Sequence, residues 1–216
     1  MKRYYALLIF SSLSLAPAYA QLAAPNAANL IAVNSNPAVV AAPVKHLPNS
    51  EYKARIKAAD ATLKTSPKDV EALLSRAQAR VELKDFEEAV ADYNVLLRLQ
   101  PANAEWYYLR GTANLRAEKL QPAIADFSKA LKYDPKNKNC LLYRGVAKMK
   151  ALNFKAAIPD FAAIIEQEPD NADAYEYRGV CYSHAGQDAR AVQDLEKAAE
   201  LNPAAAKTLK RYRPSK

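Results

Sequence analysis

Glycine is scarce in this chain of 216 residues, which holds only four. No glycine-rich phosphate loop occurs, and neither does an HExxH pair or a serine elbow. Histidine is rarer still, limited to His46 and His184. Two cysteines, Cys140 and Cys181, are too few for a disulfide framework. Long apolar runs are missing too. The run from Tyr4 to Ala16 is short for a bilayer span, and no other segment is apolar enough. These absences leave little material for an enzyme, and no catalytic residue and no cofactor is assigned.

What is present suits one soluble domain with a sizeable core, since 50% of residues are hydrophobic and 25% charged. The first stretch stands apart. "MKRYYALLIFSSLSLAPAYAQ" places Lys2 and Arg3 before the apolar run and Ala18-Tyr19-Ala20 after it. That is the layout of a secretory signal peptide, residues 1–20, with cleavage after Ala20. The alternative is an uncleaved anchor or a buried N-terminal helix. No Cys lies near the cleavage point, which argues against a lipoprotein anchor. Export predicts a periplasmic or secreted protein, in a compartment where a disulfide is permitted. The net charge is +8, of which Lys2 and Arg3 supply two and the tail 204–216 supplies five. Basicity is therefore a property of the tail.

Residues 21–48 are rich in Ala, Pro and Asn and read as an extended or disordered linker. A fixed period then takes over. Pro67, Pro101, Pro135, Pro169 and Pro203 stand 34 residues apart, with two helical patterns between each pair. Asp69, Asn103, Asn137 and Asn171 follow the prolines and are good helix caps. Such a period signals a helical solenoid.

Columns recur within it. Ala77, Gly111, Gly145 and Gly179 are small, as are Ala89, Ala123, Ala157 and Ala191. Tyr93, Phe127, Phe161 and Leu195 are bulky. Small residues let antiparallel helices approach, and bulky ones fill the flanks. In these residues the chain resembles the tetratricopeptide repeat family over 68–203. Departures from the family pattern are Lys84 and Leu152 where the turn often has Gly, and Arg80, Asn114 and Lys148 where an aromatic is usual. Leu96 and Ile164 replace a small residue, and Pro159 falls early in a second helix, where it can bend the helix.

The resemblance implies an all-α, right-handed helical-hairpin solenoid of four 34-residue repeats, 68–101, 102–135, 136–169 and 170–203. Residues 49–67 form an N-terminal half-repeat helix with Ser50 as its cap. Residues 204–216 form a short, basic C-terminal cap. Polar caps of this kind keep a solenoid soluble.

One column is charged. Arg76, Arg110, Arg144 and Arg178 each lie three residues after an apolar position, so they face inward. Asp92, Asp126, Asp160 and Asp194 lie just before the bulky residues. A structural ion-pair ladder is expected, each Arg holding the Asp of its own repeat or of the preceding one. Solvated edges are the alternative.

Cys140, Cys181 and His184 are the only set with metal-ligand character, and no fourth ligand is visible, so no metal is assigned. The cysteines are two helical turns out of step along neighbouring helices, roughly 10 Å, beyond disulfide reach. The better site is the groove that the resemblance implies, lined by first helices. Its positions include Leu74, Gln78 and Val81; Tyr108, Thr112, Leu115 and Arg116; Leu142, Val146, Met149 and Lys150; and Glu176, Val180 and His184. The apolar middle with flanking Arg116 and Lys150 suits a partner's peptide or helix. Part of the stripe belonging to inter-repeat core is the alternative. Thr112 and Val146 stand where the family's carboxylate clamp wants Asn, so binding of an acidic C-terminus is not predicted.

The expectation is an exported, non-enzymatic adaptor for a protein partner in the cell envelope, without nucleic acid. Its rivals are a groove filled by the apolar linker, which would inhibit the protein or let it dimerise by exchange, a basic tail docked on an anionic surface with the solenoid as spacer, and an enzyme accessory or enzyme of unknown type.

Overall fold

The computed structural model describes residues 47–212. The expected signal peptide, its cleavage site and most of the linker lie outside these residues. Among the described residues every regular element is helical, and no helix is long and apolar enough to cross a membrane.

Helix α1 (Asn49–Thr65) comes first, followed by four hairpins: α2 (Val70–Leu83) with α3 (Phe86–Leu99), α4 (Ala104–Arg116) with α5 (Leu120–Tyr133), α6 (Lys138–Lys150) with α7 (Phe154–Gln167), and α8 (Ala172–His184) with α9 (Asp188–Leu201). A 3-10 turn at Pro203–Ala205 leads into α10 (Ala206–Tyr212).

The start of each first helix is fixed by its cap. Asp69 accepts from the Ala72 amide at 2.7 Å, Asn137 from Cys140 at 3.0 Å and Asn171 from Ala174 at 2.9 Å. Asn103 accepts from Glu105 and Trp106 at 2.9 and 3.3 Å. Each bond satisfies a donor that the helix leaves open. Helix α1 differs from expectation. Its first residue is Asn49, one place before Ser50, and its cap residue, Pro48, makes no side-chain cap bond. Pro48, with φ −62° and ψ 148°, takes the cap position in extended backbone, so the helix starts two residues earlier than a Ser50 cap would place it.

The turn inside each hairpin is left-handed, with φ of 68° at Lys84, 58° at Glu118, 60° at Leu152 and 73° at Gly186. Only one of the four is glycine, so three turns carry the strain of a side chain in this region. A repeated bond offsets it. Asp85, Lys119, Asn153 and Gln187 donate back across the turn to the carbonyls of Arg80, Asn114, Lys148 and Tyr182, at 2.8 to 2.9 Å. This is the Schellman closure.

Close crossing explains the small column. A Cβ on Gly111 would lie 2.9 Å from Phe127, one on Gly145 2.6 Å from Phe161, and one on Gly179 2.8 Å from Leu195. The bulky partners are fully buried. Leu96 and Ile164 are buried where Ala130 and Ala198 stand in the other repeats. Pro159 lies inside α7 with its ring exposed, and the helix runs uninterrupted to Gln167.

Each hairpin packs on the next through its second helix. First helices also reach one another directly: α4 touches α6, and α8 touches α10, whereas no two second helices come as close. The stack therefore closes on the first-helix side, which makes that side the inner surface.

Candidate functional site

Two arrangements come from the repeat register: a buried charge ladder inside each hairpin, and a face of first-helix side chains on the inner surface.

The ladder is built within each repeat. Arg76 places Nε and Nη2 on the two oxygens of Asp92, at 3.0 and 2.6 Å. Arg110 meets Asp126 at 2.5 to 3.2 Å, Arg144 meets Asp160 at 2.5 and 3.1 Å, and Arg178 meets Asp194 at 2.7 and 2.9 Å. The Asp side chains are 2–8% exposed and the Arg side chains 19–22%. The acids are therefore buried and the bases cover them. The partner is always the Asp of the same repeat.

Two further columns complete it. Arg80, Asn114 and Lys148 donate to the second oxygen of Asp92, Asp126 and Asp160 at 2.6, 2.9 and 2.7 Å. These are the positions where the usual aromatic is missing, so their polar replacements feed the buried carboxylates. In the fourth repeat Tyr182 keeps the aromatic and lies under Arg178 at 5.8 Å. The other column reaches back 16 residues, where Asp60 and Asn94 accept from Arg76 and Arg110 at 2.6 Å and Ser128 accepts from Arg144 at 3.3 Å. Sequence reasoning missed it, although a polar residue precedes three of the four arginines at that spacing. Each such Arg ties its own hairpin to the helix before it.

The inner face is less open than the sequence suggests. Leu115, Val146 and Val180 are 8–9% exposed and belong to the core between repeats. Tyr108 packs on the cluster of Leu115, Phe127 and Ala147, with ring centres 6.3 Å from Phe127 and 6.0 Å from Tyr143. Burial pushes its phenol pKa up. Leu74 and Val81 are half-buried against the first cluster. Thr112, Leu142 and Met149 are also half-buried, and Gln78 is exposed.

The flanking charges are engaged across repeats. Arg116 reaches Glu82 at 3.1 Å and lies over the Phe86 ring at 5.5 Å. Lys150 reaches Glu118 at 2.6 Å. Helix α10 covers the fourth repeat: Thr208 donates to Glu176 at 2.6 Å, and the Tyr212 hydroxyl lies 3.3 Å from Nε2 of His184. His184 also stacks on Phe154 at 4.0 Å. Glu176 and His184 are thus committed within the chain. The open stretch runs over repeats 1 to 3.

The tetratricopeptide repeat pattern matches residues 50–104, 76–139 and 142–206. The chain belongs to the tetratricopeptide repeat family. Tetratricopeptide repeats generally serve as scaffolds for protein–protein interaction, and that role is the one this chain's fold supports. Among solved structures, MamA is similar at 25% identity and a TM-score of 0.67, over 73% of this chain and 92% of that one. A MamA from Desulfovibrio magneticus RS-1 is similar at 23% identity and a TM-score of 0.63, over 66% and 82%. YrrB, described as a TPR protein with an unusual peptide-binding site, is similar at 22% identity and a TM-score of 0.68, over 75% and 84%. No curated protein matches the chain.

Within this tetratricopeptide stack, Cys140 and Cys181 are free and buried, one in each of two successive first helices. Burial raises both thiols to about 12. With His184 turned to Phe154 and Tyr212, the three do not form a metal-binding group, and no other such group occurs among the described residues.

Proposed function

We propose that this chain is an exported adaptor that holds an extended or helical segment of a partner polypeptide along the inner face of repeats 1 to 3. The observation that carries the reading is the unfilled line of half-buried first-helix side chains, above all Leu74, Thr112, Leu142 and Met149, beside exposed Gln78. Side chains in this state have apolar area left to bury, while the ladder and the core behind them keep the backbone rigid. Ordering costs then fall mainly on the ligand. The peptide-binding site of YrrB supports a polypeptide ligand on this fold. Export rests on the pattern of Lys2, Arg3, the apolar run and Ala18-Tyr19-Ala20.

The test uses Leu142 and Met149, because Tyr108 is tied into the core. A photoreactive residue at the exposed position 78 is expected to crosslink a polypeptide in cells. Leu142→Glu with Met149→Glu is expected to abolish the crosslink and leave the melting temperature within a few degrees of the parent. Loss of fold in the double variant, or a crosslink that survives it, contradicts the adaptor reading. Export is tested separately: the mature N-terminus is expected at Gln21, and an intact N-terminus on cytoplasmic protein contradicts it.

A further inference from the structure

The inner face of repeats 1 to 3 has two edges, and their charges are differently matched. On the edge where the first helices end, Arg116 meets Glu82 at 3.1 Å, Lys150 meets Glu118 at 2.6 Å and Lys119 meets Glu87 at 2.6 Å. These cations are already neutralised. On the edge where the first helices begin, the second residues of α2 and α4 are Glu71 and Glu105. Both are exposed, and their carboxylates take part in no hydrogen bond or ion pair among the described residues. The bases nearby do not answer them. Lys68 and Lys136 are equalled in number by Asp69 and Asp134 of the same loops, and Lys138 is paired with Glu168.

The apolar part of the face is concentrated elsewhere. Glu71 and Glu105 are followed three residues on by Leu74 and Tyr108, so acid and lining residue share one side of each helix. In α6 the corresponding side reads Asn139, Leu142, Val146 and Met149, and Leu152 in the loop that follows is 59% exposed. Repeat 3 thus carries an uncharged, apolar strip beside two repeats whose near edge is acidic.

The fourth repeat shows what such acids accept. Asp173 and Glu176 stand on the same side of α8, and the segment packed on that helix is α10. Its charged residues are Lys207, Lys210 and Arg211, with no acid. Glu176 accepts from Thr208 at 2.6 Å. The covered stretch of the inner face is therefore covered by a basic segment.

We propose that the partner segment held on repeats 1 to 3 is basic and amphipathic: two lysine or arginine side chains pair with Glu71 and Glu105, and an aliphatic side chain lies on α6 against Leu142 and Met149. This rests on the adaptor reading and adds the class of its ligand. Successive first helices stand roughly 10 Å apart, which an extended chain covers in about three residues. Bases three apart, with an apolar residue three further on, match the face.

The probe is the acetylated, amidated peptide Leu-Ala-Ala-Lys-Ala-Ala-Lys-Ala-Ala-Leu, which offers this pattern in either chain direction. Its counterparts carry Gln or Glu at both lysine positions. Binding to the full chain is followed by NMR at the Glu71 and Glu105 amides and the Met149 methyl group. The lysine peptide is expected to shift all three signals saturably. The glutamine peptide is expected to bind about three- to tenfold more weakly, the glutamate peptide more weakly still, and salt to narrow the difference. Glu71→Gln with Glu105→Gln is expected to bring the lysine peptide down to the affinity of the glutamine one. Glu166→Gln with Glu200→Gln removes the same charge from second helices and is expected to change nothing. The inference is overturned by equal affinity of the lysine and glutamine peptides, by no saturable shift with the lysine peptide, or by an equal loss in the second-helix variant. It is also overturned by unchanged binding in Glu71→Gln with Glu105→Gln, the result if these acids serve only the helix dipole. The crosslink from position 78 judges the adaptor reading separately.

Discussion

Asp160 is clasped by two side chains from one face of one helix: Arg144 Nη2 donates to its Oδ1 at 2.5 Å, and Lys148 Nζ donates to its Oδ2 at 2.7 Å. The carboxylate is 1% exposed, so its hydration has been replaced by these two cations. Removing one member leaves the others buried without their counter-charge. Asp160→Ala is expected to cost about 3–5 kcal/mol of stability, and Arg144→Ala a similar amount. The double variant is expected to cost less than their sum by about 1–3 kcal/mol. Denaturant unfolding of the four proteins checks this, and zero coupling contradicts the pairing.

The close crossing at Gly145 is tested in the opposite direction, by adding an atom. A Cβ there lies 2.6 Å from the Phe161 ring, which is fully buried and cannot swing away. Gly145→Ala gains about 1 kcal/mol of helix propensity but loses about 1–3 kcal/mol or more to overpacking. A lowered melting temperature is expected. The first repeat carries Ala77 opposite Tyr93, both buried, so that hairpin has the room the third lacks. An unchanged melting temperature would mean that the third hairpin can open in the same way.

What could be read from the sequence was what repeats locally. The prolines, the four polar caps, the small and bulky columns and the Arg–Asp spacing all follow from positions within one hairpin, and helical period suffices to orient them. What could not be read depends on how hairpins stack. The sequence does not state the angle between successive hairpins, and that angle decides whether Leu115, Val146 and Val180 face solvent or the next repeat. The same angle brings Asp60, Asn94 and Ser128 under the arginines of the following helix, and it carries α10 over Glu176 and His184. The turn position at Lys84 and Leu152 was legible from the repeat, but the left-handed backbone there and at Glu118 was not. Glycine is the usual sign of such a turn, and here the backbone bonds across the turn hold it without one.

The two thiols give a chemical test of burial. Cys140 and Cys181 are 1% and 0% exposed, and burial raises both to about 12. Alkylation needs thiolate and access, and both are denied. Iodoacetamide at mildly alkaline pH is expected to modify neither cysteine in the native chain and both in denaturant, as read by intact mass. Rapid native labelling of either one would place it outside the core.

The contact between His184 and α10 makes the C-terminal end sensitive to acid. Burial first, and Arg211 second, lower the imidazole pKa below 6.5. The unfolded chain takes up that proton near 6.5, the folded chain only at lower pH, so between the two the unfolded state binds more protons. Stability therefore falls as pH drops through this window. The protonated ring can only donate to the Tyr212 hydroxyl and would face Arg211 as a like charge. Amide protection factors in α10, which divide out the intrinsic pH dependence of exchange, are expected to fall between neutral pH and pH near 5, while those in α4 and α5 stay constant. His184→Gln keeps a polar partner for Tyr212 without a titrating group and is expected to remove the pH dependence. An NMR midpoint for His184 at or above 6.5, or α10 protection factors that ignore pH in the parent chain, contradict this account.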